Sequence, residues 1–269
     1  VSQTMQNATQ NARGILLAGG TGSRLAPLTN AVSKHLLPVF DKPMIYYPLV
    51  AFMQADIREV LIISSPEHLP AYQQLLGTGQ QWEIDLHYLP QPTPGGLPQA
   101  FQIGADFIGG ESVTLLLGDN IFLGGMFTEQ LARFARAPSG ATLFATRHRQ
   151  PSNYGVVELG SDGEIVSLEE KPSVAKSDYV VTGAYCFDHR VTEYADTLNP
   201  SARGELEMID LLKCYHAQSN LRVTLLEEST SWFDAGTPLM LLEASMAVAD
   251  AQRRQGPIGC PEYTAKLNK

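Results

Sequence analysis

Apolar residues along the chain fall into two patterns. Gly14 to Ala18, Val60 to Ser64, Leu86 to Leu89 and Val113 to Leu117 are short unbroken runs, with the length and composition of strands buried on both faces. Between them, Met44 to Ala55 carries apolar residues at helical spacing. Leu69 to Leu76 predicts a short helix that begins after Pro66 and stops at Gly77, and Gln99 to Phe107 predicts another. Strands alternating with helices build a parallel sheet covered on both sides. From Gly140 the pattern changes to strand-like runs at Gly140 to Thr146, Val156 to Leu159 and Ile165 to Leu168, with Ser161-Asp-Gly163 as a hairpin signal. An amphipathic helix over Leu206 to Gln218, a strand over Leu221 to Glu227 and a helix over Leu239 to Arg254, opened by Pro238, complete the pattern. The prediction is an α/β protein with a Rossmann-like, mostly parallel central sheet, helices on both faces and a smaller β-rich second half.

Composition narrows the function classes. A formal net charge of -9 argues against a nucleic-acid polymer as partner, because that contact needs a basic face. No apolar run approaches the roughly 20 residues of a membrane span. The first dozen residues lack the basic start and apolar middle of a secretory signal, so a cytoplasmic protein is expected. Cys186, Cys214 and Cys260 are far apart and show no metal-ligand spacing.

Chemistry concentrates after the first strand. Gly19, Gly20 and Gly22 let the backbone approach a ligand and present N–H groups to it, with Thr21 and Ser23 in the same loop. Arg24 and Lys34 add two fixed positive charges, which suits a polyphosphate. The dinucleotide fingerprint fails, because Leu25 holds the place of its third glycine, and the P-loop fails because Ser23-Arg24 follows Gly22. Gln91-Pro-Thr-Pro-Gly-Gly-Leu97 breaks regular structure after the third strand, where ligands sit in parallel sheets. Gly118-Asp119-Asn120 follows the fourth. Asp119 alone is a weak metal signal, but Asp234, in the glycine turn Trp232-Phe-Asp-Ala-Gly-Thr237, supplies a second carboxylate.

Leu17-Ala-Gly-Gly-Thr-Gly-Ser-Arg-Leu25, Ser33-Lys34 and Leu36-Leu-Pro-Val-Phe-Asp-Lys-Pro-Met-Ile-Tyr-Tyr-Pro48 together resemble the sugar nucleotidyltransferases, from about Gly14 to Pro261. The resemblance implies the nucleotidyltransferase fold as one domain over 14–269, with 14–120 as nucleotide-binding half, 121–245 as sugar-phosphate-binding half and 246–269 as a helix end and tail. Residues 1–13 are expected to be a flexible extension. It implies dTTP and glucose 1-phosphate as substrates, Mg2+ as cofactor and a homo-oligomer, dimer or tetramer. In that scheme the glycine loop, His35, Gln91, Gly96 and Asn120 meet the nucleotide, Gly155, Glu170 and Val181 meet the hexose, and Lys171 faces its phosphate. Asp119 and Asp234 hold the metal. Without the resemblance, Glu170 beside Lys171 is solvated surface charge.

The implied reaction joins a sugar 1-phosphate to a nucleoside triphosphate and releases pyrophosphate. The attacking phosphate oxygen is already ionised, so the chemistry needs alignment and charge neutralisation rather than a general base. Arg24 and the loop N–H groups would serve the leaving side, Lys34 and Lys171 the attacking side. The same residues are compatible with UTP or another sugar phosphate, or with a non-catalytic nucleotide-sugar binder. Two departures from relatives stand out. His35 stands where they usually carry Gln, and the chain stops at Lys269 where they continue, which puts family-type regulation and subunit contacts in question.

Overall fold

The computed structural model describes residues 12–136 and 139–267. Most of the extension expected over 1–13 therefore lies outside the described residues, and Arg13 already belongs to the first strand. That strand, β1 (Arg13–Leu17), is followed by the two-residue strands β2 (Pro38–Val39) and β3 (Lys42–Pro43), helix α1 (Tyr46–Gln54), β4 (Glu59–Ser64), α2 (Leu69–Leu76) and β5 (Asp85–Pro90). Next come α3 (Gln99–Ile103), α4 (Ala105–Ile108), β6 (Val113–Leu117), β7 (Asn120–Leu123) and α5 (Phe127–Arg136). The remainder comprises β8 (Ala141–Arg147), β9 (Gly155–Leu159), β10 (Ile165–Glu170), β11 (Tyr179–Phe187), α6 (Val191–Thr197), α7 (Met208–Ala217), β12 (Leu221–Leu225), β13 (Ser231–Asp234), α8 (Pro238–Gln255) and α9 (Pro261–Leu267).

Among the described residues nine strands join one sheet, in the order β10-β9-β11-β6-β1-β4-β5, with β8 on β11 and β12 on β8. Strands β5, β4, β1 and β6 run parallel, while β11 is antiparallel to β6 and carries the sheet from the first half of the chain into the second. The mostly parallel sheet with helices is as expected. Side chains alternate between two cores, one on each face: Leu16, Ile62 and Leu116 enter one, and Ile15, Leu17, Leu61 and Leu115 the other. A nearly unbroken apolar run is what this double burial demands, and the buried polar exceptions, Thr114 and Ser64, are each hydrogen-bonded.

Some boundaries differ from the sequence pattern. The helix expected over Gln99 to Phe107 is two short helices that meet at Gly104, where a side chain would crowd the Ala100 carbonyl and Leu61. The helix expected from Met44 begins at Tyr46, and the strand expected to reach Glu227 ends at Leu225. The turn expected around Asp234 is instead the end of a strand: β13 pairs antiparallel with β7 in a separate two-stranded ladder. Its outer side packs on α8 through Ile121, Leu123, Ala235, Ala244 and Val248, a third small core.

Candidate active site

The chain leaves β1 for β4 on one side and reaches β6 on the other, so the carboxyl ends of β1 and β6 open a crevice at the point where strand order reverses. Gly118 N donates to Leu17 O at 2.9 Å and Ser64 Oγ to Ala18 O at 2.7 Å, which fixes the three strand ends around it. The cleft has a volume of about 550 Å3.

Of the residues predicted for function, Gly19, Gly20, Arg24, Lys34, His35, Gln91, Gly96, Asp119, Asn120, Gly155, Glu170, Lys171, Val181 and Asp234 all line this cleft. Thr21 faces a smaller adjoining pocket with Gln91 and Pro92, whereas Gly22 and Ser23 lie at the start of a 3-10 turn and line neither. A Cβ on Gly19 would stand 2.5 Å from Gln91 Oε1, so a side chain there would push the Gln91 amide aside. Gln91 Nε2 donates to Gln99 Oε1 at 2.7 Å, and Gln99 Oε1 also accepts from Gly95 N, so the base-loop amide is held in orientation. Gly96 takes a positive φ of 101° against the backbone of Leu206, where Leu206 N donates to Gly95 O at 2.8 Å. That bridge ties the loop of the first half to the segment before α7.

Asp119 and Asp234 are more than a hundred residues apart in the chain, and the β7/β13 ladder brings them to one wall. Asn120 stands opposite Asp234 in that ladder, and Ala235 N donates to Asp119 O at 2.9 Å. Lys34 Nζ forms an ion pair with Asp119 Oδ2, while Asn120 Nδ2 donates to Asp119 Oδ1 at 3.0 Å. Burial opposes ionisation of Asp119, but the Lys34 ammonium and the Asn120 amide hold its carboxyl well below the usual carboxylate range. Burial, and then the neighbouring Asp119 charge, push the Asp234 carboxyl up to about 6. Among the described residues no group of three or more His, Cys, Asp or Glu side chains could hold a metal. Two crowded carboxylates do suit magnesium, which takes one or two together with water and phosphate oxygens.

The opposite wall carries cations around Glu170. Lys171 Nζ lies 3.8 Å and Arg203 Nη2 3.2 Å from Glu170 Oε1, and Arg203 also binds Glu207 at 2.6 Å. Sequence reasoning passed over Arg203, which sits in a loop-like Ser-Ala-Arg-Gly run with no apolar pattern around it. Tyr154, within a run resembling a block around the sugar phosphate, and Trp232 receive no role of their own from the sequence. Trp232 Nε1 donates to Asn120 Oδ1 at 2.6 Å, and its ring meets Tyr154 edge-on with centroids 5.4 Å apart.

His35 is fully buried, and its Nδ1 lies 3.2 Å from Tyr72 Oη and 3.3 Å from Ser33 Oγ. Burial and the adjacent Lys34 charge lower its pKa to about 3, so the imidazole is neutral near pH 7.

A glycine loop, converging cations and paired carboxylates at a sheet's switch point define an enzyme site for phosphate esters. The chain belongs to the nucleotidyl transferase family, whose profile matches residues 13–251. It is 48% identical over 257 residues to a glucose-1-phosphate thymidylyltransferase of Neisseria meningitidis, covering 95% of this chain and 89% of that one. It is also 48% identical over 254 residues to the enzyme of that name from Mycobacterium tuberculosis, covering 94% and 88%. A crystal structure from Bacillus anthracis, in complex with sucrose, superposes with a TM-score of 0.84 at 37% identity, over 94% of this chain and 99% of that one. An apo UDP-glucose pyrophosphorylase shares the fold at 20% identity, with a TM-score of 0.79 over 90% and 99% of the two chains.

Proposed function

We propose that this enzyme transfers the thymidylyl group of dTTP to glucose 1-phosphate, giving dTDP-glucose and pyrophosphate. The relatives support the substrates, since they carry the name glucose-1-phosphate thymidylyltransferase at nearly half identity over almost the whole chain. The observation that carries the chemistry is the meeting of Asp119, Asp234, Arg24 and Lys34 in one cleft with the glycine loop.

In the proposed reaction the sugar phosphate lies beside Lys171 and Arg203, and one of its oxygens attacks the α-phosphorus in line. Arg24 and the N–H groups of Gly19 and Gly20 take up charge on the departing pyrophosphate. Lys34 offsets the repulsion between the two anions as they approach. Magnesium, held by Asp119 and Asp234, would neutralise and orient the triphosphate. Gln91 and Gly96 face the base, and Gly155, Glu170 and Val181 the hexose.

Two coarser attributes go with this assignment. No helix among the described residues is long and apolar enough to cross a membrane, and both substrates are charged metabolites, so a cytoplasmic location is proposed. Self-association to a dimer or tetramer is supported by exposed Leu239, Leu242 and Met246 on one side of α8.

The deciding experiment measures pyrophosphate release from glucose 1-phosphate with dTTP, UTP, CTP, ATP and GTP in turn, with and without magnesium. Strong magnesium-dependent turnover with dTTP is expected. Turnover with UTP alone would move the base assignment, and silence with every triphosphate would overturn the proposal.

A further inference from the structure

Behind the glycine loop lies a buried polar triangle that the reaction above does not use. Ser33 Oγ and Tyr72 Oη are 2.5 Å apart, and His35 Nδ1 is 3.2 Å from Tyr72 Oη and 3.3 Å from Ser33 Oγ. Ser33, His35 and Tyr72 are all almost fully buried, so each proton must be placed among them. The other ring nitrogen, Nε2, has no hydrogen-bond partner among the described residues, and His35 lines the cleft near Gly118.

Counting protons chooses between the two neutral tautomers. With Nδ1 bare, one hydroxyl donates to Nδ1 and the other donates to the first hydroxyl, and both protons stay inside the triangle. With Nδ1 protonated, three protons compete for the triangle, and one hydroxyl must turn outward. The remaining acceptors are Ala18 O, 3.5 Å from Tyr72 Oη and already bonded to Ser64 Oγ at 2.7 Å, and Ser64 Oγ itself, which neighbours the Tyr72 hydroxyl without a well-formed hydrogen bond to it. A 3.5 Å contact to an occupied carbonyl is a poor exchange for a buried hydrogen bond.

We propose that Tyr72, with Ser33, is a positioning residue that locks His35 as the Nε2–H tautomer, so that a neutral imidazole N–H donates to an acceptor oxygen of the bound nucleoside triphosphate. This rests on the nucleotide-binding assignment of the cleft. The donor adds no charge beside Lys34, whose pairing with Asp119 is left intact. The same nitrogen held as a bare acceptor would repel an ionised phosphate oxygen.

The test uses the whole chain with selectively 15N-labelled histidine, His35→Gln serving to assign the ring signals. In the nucleotide-free protein, two-bond 15N–1H spectra are expected to show His35 bare at Nδ1 and protonated at Nε2, and Tyr72→Phe to give a mixture of tautomers. Tyr72→Phe should weaken dTTP binding about fivefold, as expected for one hydrogen bond. Because an amide has no tautomer to lock, adding Tyr72→Phe to His35→Gln should leave dTTP affinity within about twofold of His35→Gln alone. Titrations with inorganic tripolyphosphate and with thymidine tell which oxygen accepts, since only the ligand carrying it should lose affinity in Tyr72→Phe. An Nδ1–H ring in the wild type, a full Tyr72→Phe penalty in the His35→Gln background, or no loss with either fragment would overturn the proposal. The nucleotide-free spectrum does not depend on turnover. A correct tautomer in a protein that binds no dTTP would therefore fault the nucleotide assignment rather than the lock.

Discussion

Asn120 accepts at one oxygen from both the Trp232 indole, at 2.6 Å, and the Gly183 backbone N–H, at 2.8 Å, while its amide donates to Asp119. One side chain thus joins β7, β11 and β13 beneath the carboxylate pair. Asn120→Ala leaves the Gly183 N–H without its acceptor in a buried place. It should cost about 1 to 3 kcal/mol of stability, read from urea unfolding, and lower turnover as well. An unchanged midpoint would mean that water replaces the amide.

Asp119→Asn and Asp234→Asn each keep the shape of the wall and remove a charge. Each should reduce pyrophosphate release by about a hundredfold or more, with the far-UV circular dichroism unchanged. Chelation of divalent metal should abolish turnover reversibly. Full turnover in either variant would remove that residue from the metal site.

Gly96→Ala would place a methyl group against the Leu206 backbone at a φ of 101°, a region that alanine rarely adopts. A loss of about 1 to 3 kcal/mol is expected from the backbone strain, with weaker nucleotide binding because the Gln91 loop shifts. Thermal melting and a dTTP titration read the two effects separately.

How much of this was legible in the sequence differs by residue. Strands β1, β4 and β6 stand out because burial on both faces forces unbroken apolar runs, and α2 matches its predicted span from Leu69 to Leu76. Strand β11 was invisible as a strand because Thr182 and Gly183 interrupt its apolar pattern, at the point where Gly183 must pass close to Asn120. Helix α5 buries only the narrow stripe Phe127, Leu131 and Ala135, too thin a signal among polar neighbours. Asp119 and Asp234 could be paired from chemistry, but the ladder that joins them is a long-range contact with no local signature. The Tyr72 contact with His35 is of the same kind.

Asp188 supplies a pH dependence. Burial alone would raise its carboxyl, but hydrogen bonds from Arg190, Tyr215 Oη and Gly140 N outweigh it and leave the folded value below the usual 3.8. The unfolded state therefore binds this proton more readily. The stabilisation is complete above about pH 5 and fades as pH falls through the folded value. Wild type should exceed Asp188→Asn in stability at pH 7, with the gap narrowing toward pH 3, as followed by urea midpoints. A constant gap would show that the loss is packing rather than charge.

The β7/β13 ladder makes the carboxylate pair a product of the finished fold. Its two strands come from opposite sides of a long intervening stretch that contains β8 to β12. A chain ending before β13 would keep the residues of the glycine loop and Lys34 yet lack Asp234 altogether. Loss of that last strand would therefore remove one of the two carboxylates while leaving the glycine loop's sequence untouched, so the pair marks completion of the fold.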